Sequence, residues 1–172
     1  MTRRSASSRG RPGILTAMKL AEGLAVRADA ARRVDQLRER ITASARYQEG
    51  EAPAEDASAL LTDAAHVLTE LEDMIRRINR TNAATQVVGL GTLTDALARR
   101  DVLRLRHGVL TAAANAAAGE GQRGFRQLRS ELKMIPALPV ADLRARADDV
   151  ARELREVDTL IQRTNWEADL LD

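Results

Sequence analysis

Apolar side chains return every three or four residues along four stretches of the chain, the spacing that keeps them on one face of an α-helix. The first stretch covers about 18–46, with Leu20, Leu24, Ala31, Val34, Leu37 and Ile41 as its stripe. Gly50, Pro53 and the acidic run EGEAPAED interrupt it and predict a short exposed turn. A second helix is expected over about 56–82. Its stripe, Leu61, Ala64, Leu68, Leu71, Ile75, Ile78 and Asn82, alternates steps of three and four throughout, the heptad pattern of supercoiled packing.

A loop with Gly89 and Gly91 precedes a third helix over about 92–118. Thr92 stands three residues before Asp95, the spacing of a capping box that would start this helix. Ala98, Val102, Leu105, Val109 and Ala112 line one side of it, and Gly119, Gly121 and Gly124 end it. Residues Phe125 to Pro139 combine alternating apolar positions with two prolines and predict an extended arm or short hairpin. The fourth helix, over about 139–168, opens on Pro139, whose missing N–H costs nothing in a first turn. Its stripe is Val140, Leu143, Ala147, Val150, Leu154, Val157, Ile161 and Thr164. The expected fold class is therefore all-α: an antiparallel bundle of four long amphipathic, coiled-coil-like helices, with the arm or hairpin between the third and fourth. Residues 18–172 are expected to form a single helical domain, a size at which one core is readily sustained.

Composition agrees with long helices and removes several kinds of chemistry. The only aromatic residues are Tyr47, Phe125 and Trp166, too few for a platform on which single-stranded bases stack. The chain has no cysteine, which rules out disulfides, thiolate metal sites and thiol nucleophiles and fits a cytoplasmic location. No apolar run approaches the roughly 18–20 residues of a membrane span. The net charge of +2 is unevenly placed. Residues 1–17 hold Arg3, Arg4, Arg9 and Arg11 and no acid; 27 basic residues less these four leaves 23 against 25 acids, a net of −2 for the body. Phosphate-backbone binding by the body is therefore not expected. The basic tail is the one place for a nucleic-acid contact, and the simpler expectations for it are disorder or a start-codon extension ahead of Met18.

Catalytic apparatus is not visible. Asp63 and His66 share a helix face, but a di-iron bundle uses two such pairs with two further carboxylates. His107 stands alone on another helix, and phosphate-loop, dinucleotide, zincin and nucleophile-elbow motifs do not occur. No metal and no cofactor is expected, nor is enzymatic activity.

The unusual chemistry is polar. Asn79, Arg80, Thr81, Asn82 and Thr85 gather where the second stripe ends, followed by Thr92, Thr94, Asp95, Arg99, Arg100 and Asp101. Arg163 and Asn165 occupy a similar place at the end of the fourth helix, where Asp73 to Asn79 can be laid on Thr159 to Asn165 through a shared Ile-x-Arg-x-Asn core. That likeness hints at a duplicated helical hairpin. Two readings of the cluster stay open. In one, its residues cap helices, fix register and form ion pairs between helices or subunits; in the other, they form a pocket for a ligand or a protein partner.

At these same residues the chain resembles a group of small bacterial proteins that carry the label septicolysin. The likeness rests on MKLAEGLAVRAD (18–29), RYQEGEAPAED (46–56), RRINRTNAAT (76–85), GTLTDALARRDVL (91–103) and IQRTNWEADL (161–170). Members begin at the MKLAE segment, so the resemblance implies Met18 as the natural start. It also implies a self-associating long-helix fold and, through the label, a cytolytic pore former, and it supplies no catalytic residues. Taken together, the sequence leads to a non-enzymatic helical protein that assembles with itself into a homo-oligomer. The alternatives are a binding module using the Asn79–Asp101 cluster and a pore former.

Overall fold

The computed structural model describes residues 17–120 and 135–172. Four helices carry the fold: α1 (Leu20–Ser44), α2 (Ala57–Ala84), α3 (Leu93–Ala117) and α4 (Val140–Glu167). A two-stranded antiparallel ribbon, β1 (Gln86–Val87) and β2 (Gly91–Thr92), joins α2 to α3 with Gln86 opposite Thr92 and Val87 opposite Gly91. The all-α bundle is thus as expected, with helix ends within two residues of their predicted places. The basic tail through residue 16 and most of the arm expected over Phe125–Pro139 lie outside the described residues.

The bundle consists of two antiparallel hairpins, α1 on α2 and α3 on α4, which meet only at one end. At that end the start of α1, the end of α2, the start of α3 and the end of α4 form a hub. Its core includes Leu20, Met74, Ile78, Val87, Leu93, Ala96, Val157, Ile161 and Leu170, and it runs on between α3 and α4 through Leu103, Leu110, Leu143 and Val150. The outer half of the α1–α2 hairpin has its own small core of Leu37, Leu60 and Val67.

The stripe predicted for α4 is the one that packs, from Leu143 to Ile161. On α1 the match is close, except that Ala30 packs inward and Ala31 is exposed. On α2 the heptad is real but half of its positions are one residue off. Leu60, Val67, Met74 and Thr81 are buried, whereas Leu61 and Leu68 are exposed and Ile75 and Asn82 only half-buried. Both stripes share Ala64, Leu71 and Ile78, so spacing alone does not separate them. On α3 the predicted stripe faces the opposite way. Ala98, Val102, Leu105, Val109 and Ala112 are all exposed, and α3 packs on α4 through Leu93, Ala96, Leu103, Leu110 and Ala114. That inner stripe is interrupted by the half-buried Arg100 and His107, which makes it the less apolar of the two in sequence.

The two hairpins repeat each other, in a different alignment from the one the helix ends suggested. Advancing α1 by 73 residues lays Leu20 on Leu93, Gly23 on Ala96 and Leu37 on Leu110, all buried. Advancing α2 by 83 lays Ile78 on Ile161 and Arg80-Thr81-Asn82 on Arg163-Thr164-Asn165. Burial decides this register: Ile78 and Ile161 are both inside, while the Ile75 of the earlier alignment is half-buried and its Asn79 exposed.

Candidate functional site

The polar cluster is distributed around the hub, and its backbone explains why. Each hairpin ends the same way: the threonine hydroxyl of the Arg-Thr-Asn run donates to the carbonyl four residues earlier, Thr81 to Arg77 and Thr164 to Leu160, both at 2.8 Å. One turn later an extended residue leaves the helix and its carbonyl accepts from the start of the next hairpin helix. Thr85 accepts from Leu93 N–H at 2.8 Å, and Ala168 accepts from Leu20 N–H at 3.0 Å. These bonds satisfy N–H groups that a helix start otherwise leaves open.

Thr81 is the most enclosed of the candidates, with no exposed surface. Its hydroxyl also accepts the Leu171 N–H at 2.9 Å, which holds the last residues of the chain across the hub. Arg77 and Arg80 grip the same segment: Arg77 donates to the Leu171 carbonyl at 3.1 Å and the Asp172 carboxylate at 2.9 Å, and Arg80 to the Asp172 carbonyl at 2.9 Å. On its other side Lys19 pairs with Asp169 at 2.7 Å, and Leu170 N–H donates to the Met18 carbonyl at 2.8 Å. Leu170 itself fills the space over Gly23. A Cβ at Gly23 would stand 2.9 Å from a Leu170 methyl, so this close approach depends on glycine.

Thr92 and Asp95 form the expected capping box. The Asp95 carboxylate accepts from the Thr92 hydroxyl at 2.6 Å and from the Thr92 N–H at 2.8 Å, and the Thr92 oxygen accepts from Asp95 N–H at 3.2 Å. The hydroxyl donor above all, then the N–H, holds the Asp95 carboxyl below its ordinary value. Gly91 completes the device: its φ of +86° is in the left-handed region, and a Cβ there would meet the carboxylate at 2.8 Å. Because the folded value is depressed, Asp95 stabilises the helix start at neutral pH and loses that contribution as pH falls through the lowered value. Replacing Thr92 by valine is expected to bring the Asp95 titration back towards the ordinary carboxylate range in a carboxyl-carbon NMR titration. An unmoved midpoint would show that the Thr92 hydroxyl is not its cause.

The remaining candidates form ion pairs along α3 and α4. Arg99 pairs with Glu153, and Asp101 takes Arg100 at 2.9 Å and Arg104 at 3.7 Å. Arg163 lies on the exposed side of α4 against Glu167 at 2.7 Å. Asn165 is buried and Asn82 half-buried, while Asn79 and Thr94 are exposed. The structure therefore brings Arg80 and Thr81 together on the chain end, and Thr92 with Asp95, but not the whole set into one pocket. Gly89 and Gly91 shape the ribbon: Leu90 N–H donates to the Val87 carbonyl at 3.0 Å, and Gly89 takes the positive φ that the third residue of a type II turn requires.

Two clefts among the described residues differ in lining. One of about 620 Å³ at the far end of the α3–α4 hairpin is lined by alanines with Gly119, Ile135, Leu138 and Val140. Another, of about 510 Å³ beside the ribbon, places Arg99 near Glu153 and Glu156. Asp63 and His66 are both exposed, and no helix of the described residues is long and apolar enough to cross a membrane. Sequence reasoning assigned the exposed stripe of α3 to the interior. It is a candidate surface that the polar-cluster reading missed, and an uninterrupted heptad competing with an interrupted one was its signal.

Fold and site together define an all-α protein of two like helical hairpins joined through a hydrogen-bonded hub. Residues 27–170 match a family of unknown function, DUF6847, and the chain belongs to that family. It is also similar to a functionally unknown conserved protein from Corynebacterium diphtheriae, known from its crystal structure. The two are 37% identical with a TM-score of 0.83, covering 90% of this chain and 99% of that one. No curated protein matches the chain. The septicolysin label appears in neither match, so the resemblance reaches no further than a family of unknown function.

Proposed function

We propose that this is a non-enzymatic helical protein that acts by assembling with itself. The observation that carries the reading is the outer face of α3, where Val102, Leu105 and Val109 are 56%, 70% and 68% exposed. Single exposed apolar residues are ordinary, but a contiguous row at heptad spacing marks an interaction surface. The repeat supplies an internal comparison. The positions of α1 that correspond to Ala98, Val102, Leu105, Val109 and Ala112 are Ala25, Asp29, Arg32, Gln36 and Glu39, a normal solvated face. The same place in the fold is thus polar on one hairpin and apolar on the other. Burying the α3 row in a second protein surface stabilises an assembly by about 25 cal/mol per Å² of apolar area, before association costs. The polar cluster does not compete well as a ligand site, because Thr81, its most enclosed member, is already engaged with the chain's own backbone. The pore-forming reading implied by the septicolysin likeness is the less economical use of the same face, since the described helices offer no apolar span.

The test is solution mass by light scattering over a range of concentrations, on the full chain and on residues 18–172. A mass that rises with concentration to a defined multiple supports assembly. A monomer at every concentration, up to about the millimolar range where even weak contacts populate, would refute it.

A further inference from the structure

We infer that the outer face of α3 pairs in parallel with the same face of a second copy of this chain, an inference that rests on the self-assembly reading and specifies its surface. In heptad terms Val102 and Val109 fall at a, and Ala98, Leu105 and Ala112 at d. β-Branched residues at a with leucine at d favour two parallel strands. The alanine layers on either side of Leu105 let the helices approach closely. The stripe lies on the side of α3 opposite its α4 contact, so a second α3 reaches it without displacing the hairpin partner.

Charge sets the orientation. On one side of the stripe the g position is Asp101; on the other the e positions are Arg99 and Arg106. A parallel pair brings g of one helix to e of the other five residues on, which is Asp101 against the second copy's Arg106, twice by symmetry. Asp101 is 61% exposed and is held, among the described residues, by Arg100 and Arg104 of its own helix. An antiparallel pair instead sets e against e, Arg99 against the second copy's Arg106, where the Glu153 partner of Arg99 offsets the repulsion only in part. Exposed ion pairs add little affinity, but like-charge juxtaposition selects against the wrong arrangement. The seam from Ala98 to Ala112 is only about 21 Å long, so the contact is small and is expected to dissociate on dilution.

The absence of cysteine from the sequence makes the geometry directly testable on the full chain. Ala98→Cys and Ala112→Cys are exposed d positions. Each alone is expected to give a disulfide-linked homodimer under mild oxidation, because parallel pairing sets each beside its own copy within disulfide reach. Leu105→Glu is expected to weaken dimerisation by roughly thirtyfold or more with an unchanged helical spectrum and unfolding midpoint in dilute solution. Asp101→Arg and Arg106→Asp are each expected to weaken it by roughly three- to tenfold, and the two together to restore it. A wild-type chain that stays monomeric throughout would defeat the self-assembly reading itself. A wild-type oligomer indifferent to Leu105→Glu would overturn the surface alone. One that responds to Leu105→Glu, yet whose single-cysteine forms do not link to themselves, would overturn the parallel arrangement.

Discussion

Leu20→Ala is expected to lower the unfolding free energy by about 2–5 kcal/mol, the range for truncating a buried leucine where the surroundings cannot close the gap. Leu20 has no exposed surface and begins α1 at the point where all four helix ends converge. Its N–H is bonded to the Ala168 carbonyl and the next strand of contact, Leu170 to Met18, lies beside it. The backbone around the side chain is thus pinned from two directions, and a cavity there should persist. The contrast is Leu105→Ala on the outer face of α3, where loss of the side chain should move stability by no more than about 0.5 kcal/mol in dilute solution. Chemical denaturation of both variants checks the pair. A loss below about 1 kcal/mol at Leu20 would mean that the hub is not the seat of the fold's stability.

This contrast also shows what the sequence could express. Helix number, extent and the cap of α3 were legible because each depends on neighbours in sequence: Thr92 with Asp95, and Gly91 before them. Pro139 marks the start of α4, but as the extended residue that precedes the helix and not as a member of its first turn. The stripe of α4 was legible because only one apolar row exists there. On α3 two rows compete, and the structure buries the one broken by Arg100 and His107. Apolar count along one helix cannot decide that choice, since a half-buried arginine at a helix crossing keeps its head in water while its stem packs. The one-residue offset on α2 has the same origin, because Leu60 and Leu61 are equally apolar and only the position of α1 separates them. The polar cluster was found, but its partners were not. Arg77, Thr81 and Arg80 hold a segment some ninety residues further on, a contact with no local signature.

That contact yields the second large effect. Thr81→Val is expected to destabilise the protein by about 1–2 kcal/mol, the cost of leaving a part-buried donor without its acceptor. Valine keeps the shape of threonine, so the hub loses no packing. What is lost is the oxygen that accepts Leu171 N–H at 2.9 Å; the bond that Thr81 donates to Arg77 within its own helix also goes, but that carbonyl remains in its helix. Thr81→Ser keeps the oxygen and loses a methyl group, so it should recover part of the difference. Leu171 and Leu170 amides should exchange with solvent faster in the valine variant than in the serine variant, because the segment is then held chiefly by the arginines and Leu170. If valine proves as stable as threonine and the exchange of Leu171 is unchanged, the hydroxyl has no structural partner. Thr81 would then return to the set of residues for which an external ligand is the better explanation.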